Sequence, residues 1–338
     1  MVRAWAPGRV NLIGDHTDHT GGLVLPMAID LGTTITGERG GKTVTLRSAT
    51  EPEPSVVPLD VEDPALVSPA WARYVAGVVA ELRPRTGFAG DVETTLPIGA
   101  GLSSSAALEI AVALALGFER SGIELARLGQ RAEQRASGVP CGIMDQLTSA
   151  VGVDGHALRI DCTTLDVQPV RLPEDVAVVV ADSGQRRALA TSAYAERAAA
   201  CQAAQTAIGP LTSATLADVE TIDDATVRRR ARHVVTENQR VDEFAAALAA
   251  SDRAGLRAAM AGSHDSLRDD FEVSTPTVDA LVEDLMSTDG VIGARLTGAG
   301  FGGCVVALVE KGTSIDLPNR LWQVRPSPGA SVATAGTA

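Results

Sequence analysis

The stretch Pro97-Ile98-Gly99-Ala100-Gly101-Leu102-Ser103-Ser104-Ser105-Ala106-Ala107 gathers small residues and three consecutive hydroxyls between two more apolar runs. Asp91 to Leu96 before it reads as a strand, and Ala106 to Phe118 after it as a helix. Glycine lets backbone amides come close to a ligand. A helix beginning at the serines aims its unpaired N–H groups and positive dipole end into the loop. Such a site suits an anion, phosphate above all. A Gly/Ser cluster also describes many ordinary loops, so the weight falls on what accompanies it.

Three further blocks could do chemistry. Gly8-Arg9-Val10-Asn11-Leu12-Ile13-Gly14-Asp15-His16-Thr17-Asp18-His19 delivers a strand into a loop dense in carboxylates and imidazoles. Sugar hydroxyls, each both donor and acceptor, are bound by linings of this kind. Glu133 and Asp145 flank the tight turn Gly138-Val139-Pro140-Cys141-Gly142. One carboxylate could hold magnesium and the other could accept a proton. Ala294-Arg295-Leu296-Thr297-Gly298-Ala299-Gly300-Phe301-Gly302-Gly303-Cys304 has more glycine than a turn requires, which suits close approach of backbone to a ligand. No G-x-x-x-x-G-K-[ST] loop, H-R-D or D-F-G set, or Rossmann fingerprint is present.

The elements that must carry these blocks follow from periodicity. Strands are expected at Arg9–Ile13, Leu23–Ile29, Ala157–Ile160, Val176–Val180, around Arg295 and at Val305–Val309. Thr33–Thr36 and Thr43–Arg47 suggest a hairpin around Gly40-Gly41. Helical spacing covers 71–82, 106–118, 122–137, 186–208, 225–249, 252–261 and 276–287. The composition turns from strand-rich to helix-rich near residue 175, which divides the chain into expected domains 1–174 and 175–338. Residues 327–338, rich in small residues, read as a loose tail.

Bulk properties narrow the function. The chain has 338 residues, 45% of them hydrophobic, enough for substantial cores. A net charge of −13 disfavours nucleic acid. The Arg228-Arg229-Arg230 run sits among acids and reads as a solvated helix face. Mean hydropathy is +0.11, yet no uncharged apolar run is long enough to span a membrane, and the first residues lack an apolar signal core. A cytoplasmic protein, monomeric or weakly dimeric, is expected. The four cysteines are scattered without a C-x-x-C pair.

Taken in order, the four blocks resemble the GHMP small-molecule kinases, and within them the galactokinase branch. The serine loop and Thr297-Gly298-Ala299-Gly300-Phe301-Gly302-Gly303 are similar to the superfamily's second and third motifs, and Pro7 to Gly22 to the galactokinase signature. Trp71 with Tyr74, Cys141 to Gln146, and Tyr194 with Arg197 match in order as well. The resemblance implies a two-domain α/β (α+β) fold with its active site between the domains, ATP as co-substrate, Mg2+, and phosphoryl transfer to the anomeric hydroxyl of a monosaccharide, galactose first. It implies Asp145 as base with Arg9 beside it. It implies Asp15, His16, Asp18, Gly142 and Tyr194 at the sugar, Gly99, Gly101, Leu102, Ser103, Ser104 and Ser105 at the nucleotide, and Ser105 with Glu133 at the metal.

Several features depart from that pattern. Galactokinases usually carry Gly-Glu-His-Thr-Asp-Tyr where this chain has Gly14-Asp15-His16-Thr17-Asp18-His19. They usually carry an additional helical segment before the first motif, and a Lys/His-containing loop where Ala181 to Arg187 stands here. Asp15 is shorter than glutamate by roughly 1.5 Å, so a direct sugar contact would need a shifted loop or a bridging water. The alternatives are a kinase for N-acetylgalactosamine, arabinose or a uronic acid, a non-catalytic sugar sensor, and a decarboxylase on the same scaffold. The sensor is disfavoured by the retained Asp145, Glu133 and serines, and the decarboxylase by the sugar block.

Overall fold

The computed structural model describes residues 1–97, 99–185 and 190–334. In chain order the strands and helices are β1 (Val2–Asn11), β2 (Leu23–Val24), β3 (Pro26–Arg39), β4 (Thr43–Ser48), β5 (Ser55–Pro58), α1 (Ala72–Leu82), β6 (Phe88–Thr94), α2 (Ser104–Ala115), α3 (Gly122–Ser137), α4 (Met144–Val151), β7 (His156–Asp161) and β8 (Val167–Arg171). The second half adds β9 (Val176–Asp182), α5 (Ala190–Ile208), α6 (Leu216–Glu220), α7 (Ala225–Ala250), α8 (Arg253–Asp269), α9 (Pro276–Met286), β10 (Val291–Thr297), β11 (Cys304–Glu310), β12 (Leu321–Val324) and β13 (Ser331–Thr334). The expected helix start at 186–189 and the last four residues lie outside the described part.

The described residues form three sheets, ordered β13-β1-β3-β6-β4-β5, β10-β11-β9-β12 and β2-β7-β8. Helices α1, α2 and α3 cover the first sheet with Val75, Val79, Ile110, Leu114 and Leu125 packed on Ile35, Val44 and Phe88. The second sheet is buried on both faces. Val178 and Val180 of β9 join Val10, Leu12 and Leu25 of the first half, whereas Val179 and Ala181 face Val234 of α7 and Phe271. That two-sided burial explains the unbroken apolar runs of β9 and β11, because successive strand residues point to opposite faces.

Three expected features fold differently. β3 and β4 do not form a hairpin with each other. β6 lies between them, antiparallel to β3 and parallel to β4. The Gly40-Gly41 turn is paired to Gly87, whose N–H donates to Gly41 O and whose carbonyl accepts from Gly40 N–H, so the turn admits a third strand. The expected loose tail instead supplies β13, which pairs with Val2–Trp5 of β1 across the boundary placed at 175. An open sheet edge recruits backbone N–H and C=O groups regardless of side chain, so low-complexity composition did not preclude a strand. Helix α8 also runs past Gly262 to Asp269. Leu256, Ala259, Met260, Ser263, His264 and Leu267 form one buried face there, and that packing outweighs the weak propensity of Gly262 and Ser263.

Candidate active site

Arg9 lies near the end of β1, where strand pairing on one side and α2 packing on the other leave its guanidinium 7% exposed. Its Nε and Nη2 donate to Asp145 Oδ1 and Oδ2, each at 2.8 Å, and Nη1 donates to Gly101 O at 2.7 Å. This bidentate pairing fixes the plane of the carboxylate. Asp145 sits in the first turn of α4, where the helix dipole favours a negative charge. A third donor, Ser103 Oγ, also reaches Asp145 Oδ2. Ser103 takes the left-handed conformation (φ 58°) directly before α2, and it also lines the cavity of the Gly/Ser loop.

Asp145 stands where two cavities share a wall. One, of about 250 Å³, is lined by Asp15, His16, Asp18, Cys141, Gly142, Tyr194 and Gly298. The other, of about 810 Å³, is lined by Gly99, Gly101, Ser103, Ser104, Ser105, Asp182 and Arg320. Arg9, Glu133, Asp145 and Ala299 line both. A third cavity, of about 290 Å³, continues past Ser104 and Ser105 between Trp71, Tyr74, Val92 and Leu108. The chain thus brings the hydroxyl loop, the paired carboxylates and the polar loop of β1 to one place. Leu102 is buried, and its carbonyl accepts from Arg9 N–H, which docks the loop on β1.

Ser105 Oγ donates to Glu133 Oε1 at 2.9 Å. Gln146, next to Asp145 in the chain, donates from Nε2 to Glu133 and, at 3.1 Å, to the fully buried Glu109. Burial, then the nearby Asp145, raises the Glu133 carboxyl to about 7. Burial and Glu133 push Glu109 well above the usual carboxylate range. The cluster is thus short of positive charge.

In the smaller cavity, Asp18 lies against the backbone of Gly142. Burial first, and Asp145 next, raise its carboxyl to about 7. His16 stacks between Phe271 (4.6 Å between ring centres) and Tyr194 (5.7 Å), and His19 meets Tyr194 edge-on at 5.9 Å. Asp15 borders the cavity, but its two carboxylate oxygens are engaged within the protein. Oδ1 accepts from Gly298 N–H at 2.8 Å, and Oδ2 pairs with the fully buried Arg295. The shorter side chain therefore joins the first block to the glycine-rich one.

These carboxyls give the ligand-free protein a distinctive pH dependence. Asp18, Glu133 and Glu109 bind protons more tightly folded than unfolded, so each loses stability for the fold as the pH rises through its folded value. Buried histidines act oppositely at lower pH. His19 is lowered to about 4, and His233 and His264 are lowered as well, all chiefly by burial. The unfolded histidines are half protonated near pH 6.5 and essentially neutral only above about pH 7.5, but across that interval the three raised carboxyls hold more protons in the folded state than the three histidines hold in the unfolded one, so the carboxyls set the sign of the slope. The denaturation midpoint of the ligand-free protein is expected to fall between about pH 6.5 and 8. A midpoint that climbs over that interval contradicts the raised values.

Comparison with known proteins agrees with this geometry. The galactokinase galactose-binding signature matches residues 2–39, the GHMP kinases N terminal domain residues 73–153, and the GHMP kinases C terminal domain residues 244–321. Galactokinases of Canis lupus familiaris and Homo sapiens are each 44% identical over 324 residues, covering 90% of this chain and 83% of theirs. The chain belongs to the galactokinase family of GHMP kinases. Among solved structures, Lactococcus lactis galactokinase complexed with galactose superposes with a TM-score of 0.90 at 32% identity, covering 98% of this chain and 95% of that one. Methanococcus jannaschii mevalonate kinase, at 21% identity and a TM-score of 0.71, shares the fold.

This kinase uses residues that motif reading passed over. Arg320 borders the phosphate cavity, and Glu109 holds Gln146 from behind it, yet nothing in the immediate sequence of either marks it. Trp71 and Tyr74 stood out by helical spacing, but their place beside Ser104 and Ser105 needed the packing of α1 on α2. Arg186 and Arg187, part of the departing loop after β9, lie outside the described residues. Among the described residues, no helix is long and apolar enough to cross a membrane.

Proposed function

We propose that this kinase transfers the γ-phosphoryl group of ATP to the anomeric hydroxyl of galactose. The observation that carries the reading is the position of Asp145. It is held by Arg9 and Ser103 in the wall common to a sugar-sized polar cavity and a Gly/Ser-lined one. Phosphoryl transfer asks mainly for an in-line oxygen nucleophile and compensation of charge. Asp145 accepts the anomeric proton as the new O–P bond forms. A carboxylate, with a reference pKa of about 3.9, is a weak base for a hydroxyl, so the proton moves late. Arg9 offsets charge developing at the sugar oxygen. The N–H groups opening α2 and the loop from Gly99 to Ser105 receive the phosphates, with Arg320 also lining that cavity. The apolar cavity at Trp71 and Tyr74 takes the flat base.

Magnesium fits the residues present. Ser105 and Glu133 offer hard oxygen donors side by side at the phosphate cavity, and burial beside Asp145 leaves Glu133 short of a cation. Bound there with the triphosphate, the ion would neutralise charge on the transferring group. Asp18, His16, Gly142 and Tyr194 would line the sugar, and Asp15 would shape the cavity from behind.

A panel of galactose, glucose, N-acetylgalactosamine, arabinose and galacturonic acid, read by ADP release, tests the substrate. Galactose is expected to exceed glucose by roughly 10²- to 10⁴-fold in kcat/KM, because buried polar groups matched to one hydroxyl pattern are left unpaired by another. Equal rates for the two epimers, or a better rate with another sugar, overturn the assignment.

A further inference from the structure

The sugar-facing loop is held from outside the motifs, by one stripe of α7. His233, Glu237, Asn238 and Val241 are spaced at one face of the helix, and each meets the segment 14–23. Glu237 is fully buried. Its Oε1 accepts from Gly14 N–H at 3.0 Å and from Ser263 Oγ at 2.6 Å, and Oε2 accepts from Arg240 Nε at 2.7 Å. One turn earlier, His233 Nε2 donates to Asp15 O at 3.0 Å in the tautomer protonated there, while Nδ1 pairs with Ser266 Oγ at 2.9 Å. One residue later, Asn238 Oδ1 accepts from Leu23 N–H at 2.7 Å. The approach is close. A Cβ on Gly14 would lie 2.8 Å from Val241 Cγ2, and one on Gly22 would lie 2.6 Å from Asn238 Oδ1. None of these α7 residues borders the sugar or phosphate cavity.

We propose that Glu237 and Asn238 are positioning residues for the sugar site. They clamp the two ends of the loop, at Gly14 and Leu23, so that His16 and Asp18 between them are presented in one geometry. This deepens the function proposed above and rests on it only for the identity of the sugar. A buried carboxylate is a costly way to hold one N–H, since an unpaired ion in that position would be strongly disfavoured. Here Arg240 pairs with it. Burial alone would raise Glu237, yet Arg240, His233 and Arg295 hold it at about 2, so the acceptor stays ionised across the working pH range. Preorganising such a loop removes an ordering cost that sugar binding would otherwise bear.

The test compares Glu237→Ala with Glu237→Gln and adds Asn238→Ala. The sugar is whichever member of the panel wild type turns over fastest, so a wrong sugar assignment is read from wild type and leaves this comparison intact. Losing the buried charge-assisted hydrogen bond to Gly14 should raise the sugar KM about 10- to 100-fold in Glu237→Ala. Glu237→Gln, which retains an oxygen for Gly14 N–H, should restore most of it, although both variants lose the Arg240 ion pair. The KM for ATP and kcat at saturation should change less than about threefold in either. Asn238→Ala, which removes a partly exposed side chain, should shift the sugar KM in the same direction if Glu237→Ala does not fold. Hydrogen exchange of the amides in 12–24 needs no substrate, and it should quicken in Asn238→Ala while α7 stays protected. Lower melting temperatures with an unchanged sugar KM and unchanged exchange in 12–24 would reduce these residues to fold support and overturn the proposal. Equal rises in the KM for ATP would do the same.

Discussion

Asp145→Ala is expected to lower turnover by about 10²- to 10⁴-fold, the loss that accompanies removal of a positioned general base. The geometry sharpens the comparison that isolates this effect. Asp145 accepts three hydrogen bonds, two from Arg9 and one from Ser103, and its side chain is 27% exposed. Alanine leaves the Arg9 guanidinium, 7% exposed, without its carboxylate, so this variant also loses stability. Asp145→Asn keeps the size and one acceptor oxygen for Arg9 while removing the basic group. Both variants should lose turnover to a similar degree, and Asp145→Asn should remain folded and bind sugar. Single-turnover phosphorylation measured beside sugar titration separates the two quantities. Near-normal turnover by a folded Asp145→Asn removes Asp145 from the role of base.

Gly142→Ala is expected to abolish tight sugar binding, with a rise in the sugar KM of about 100-fold or more for the loss of the buried Asp18 carboxyl as a hydrogen-bonding partner. An added methyl would stand 1.9 Å from Asp18 Oδ2, 2.2 Å from its Cγ and 2.7 Å from its Cβ. No rotation of the carboxyl alone clears all three atoms, so the whole side chain must leave. The backbone at Gly142 lies outside the left-handed region, and alanine brings no φ penalty of its own. Gly138, four residues earlier, gives the opposite control. Its φ is +70°, and a methyl there meets nothing within 4 Å. Gly138→Ala should therefore cost about 1–2 kcal/mol of stability and leave the sugar KM unchanged. Calorimetric titration of both variants with sugar checks the pair. Wild-type affinity in Gly142→Ala would show that Asp18 is not a sugar ligand.

Much of the site is legible locally. Ser103, Ser104 and Ser105 before Ala106 mark a helix start because an N-terminus needs partners for its free N–H groups, and α2 begins at Ser104. The turn Gly138-Val139-Pro140 ends α3, with Gly138 as its left-handed cap. Other features escaped for identifiable reasons. β13 was hidden because backbone pairing to an open edge asks little of side chains. Local sequence favours a β3–β4 hairpin, which β6 displaces, since strand order is decided by partners far along the chain. Glu237 reads in the sequence as one more acid on an Arg-rich helix. Only the partner of its oxygen, Gly14, 223 residues away, distinguishes it.

The sequence alone determined the chemical vocabulary: a hydroxyl-lined helix start, two carboxylates about a tight turn, a polar loop after a strand, and the family those motifs belong to. Each motif is a short stretch of chain, where spacing and backbone propensity act directly, and the family follows from the order of the four blocks. Tertiary structure decided which groups meet. Arg9 reaches Asp145 across 136 residues, and Arg295 reaches Asp15 across 280. Those pairings follow from helices and strands packing around shared apolar cores, and the apolar residues that drive the packing carry no record of which polar groups it will bring together.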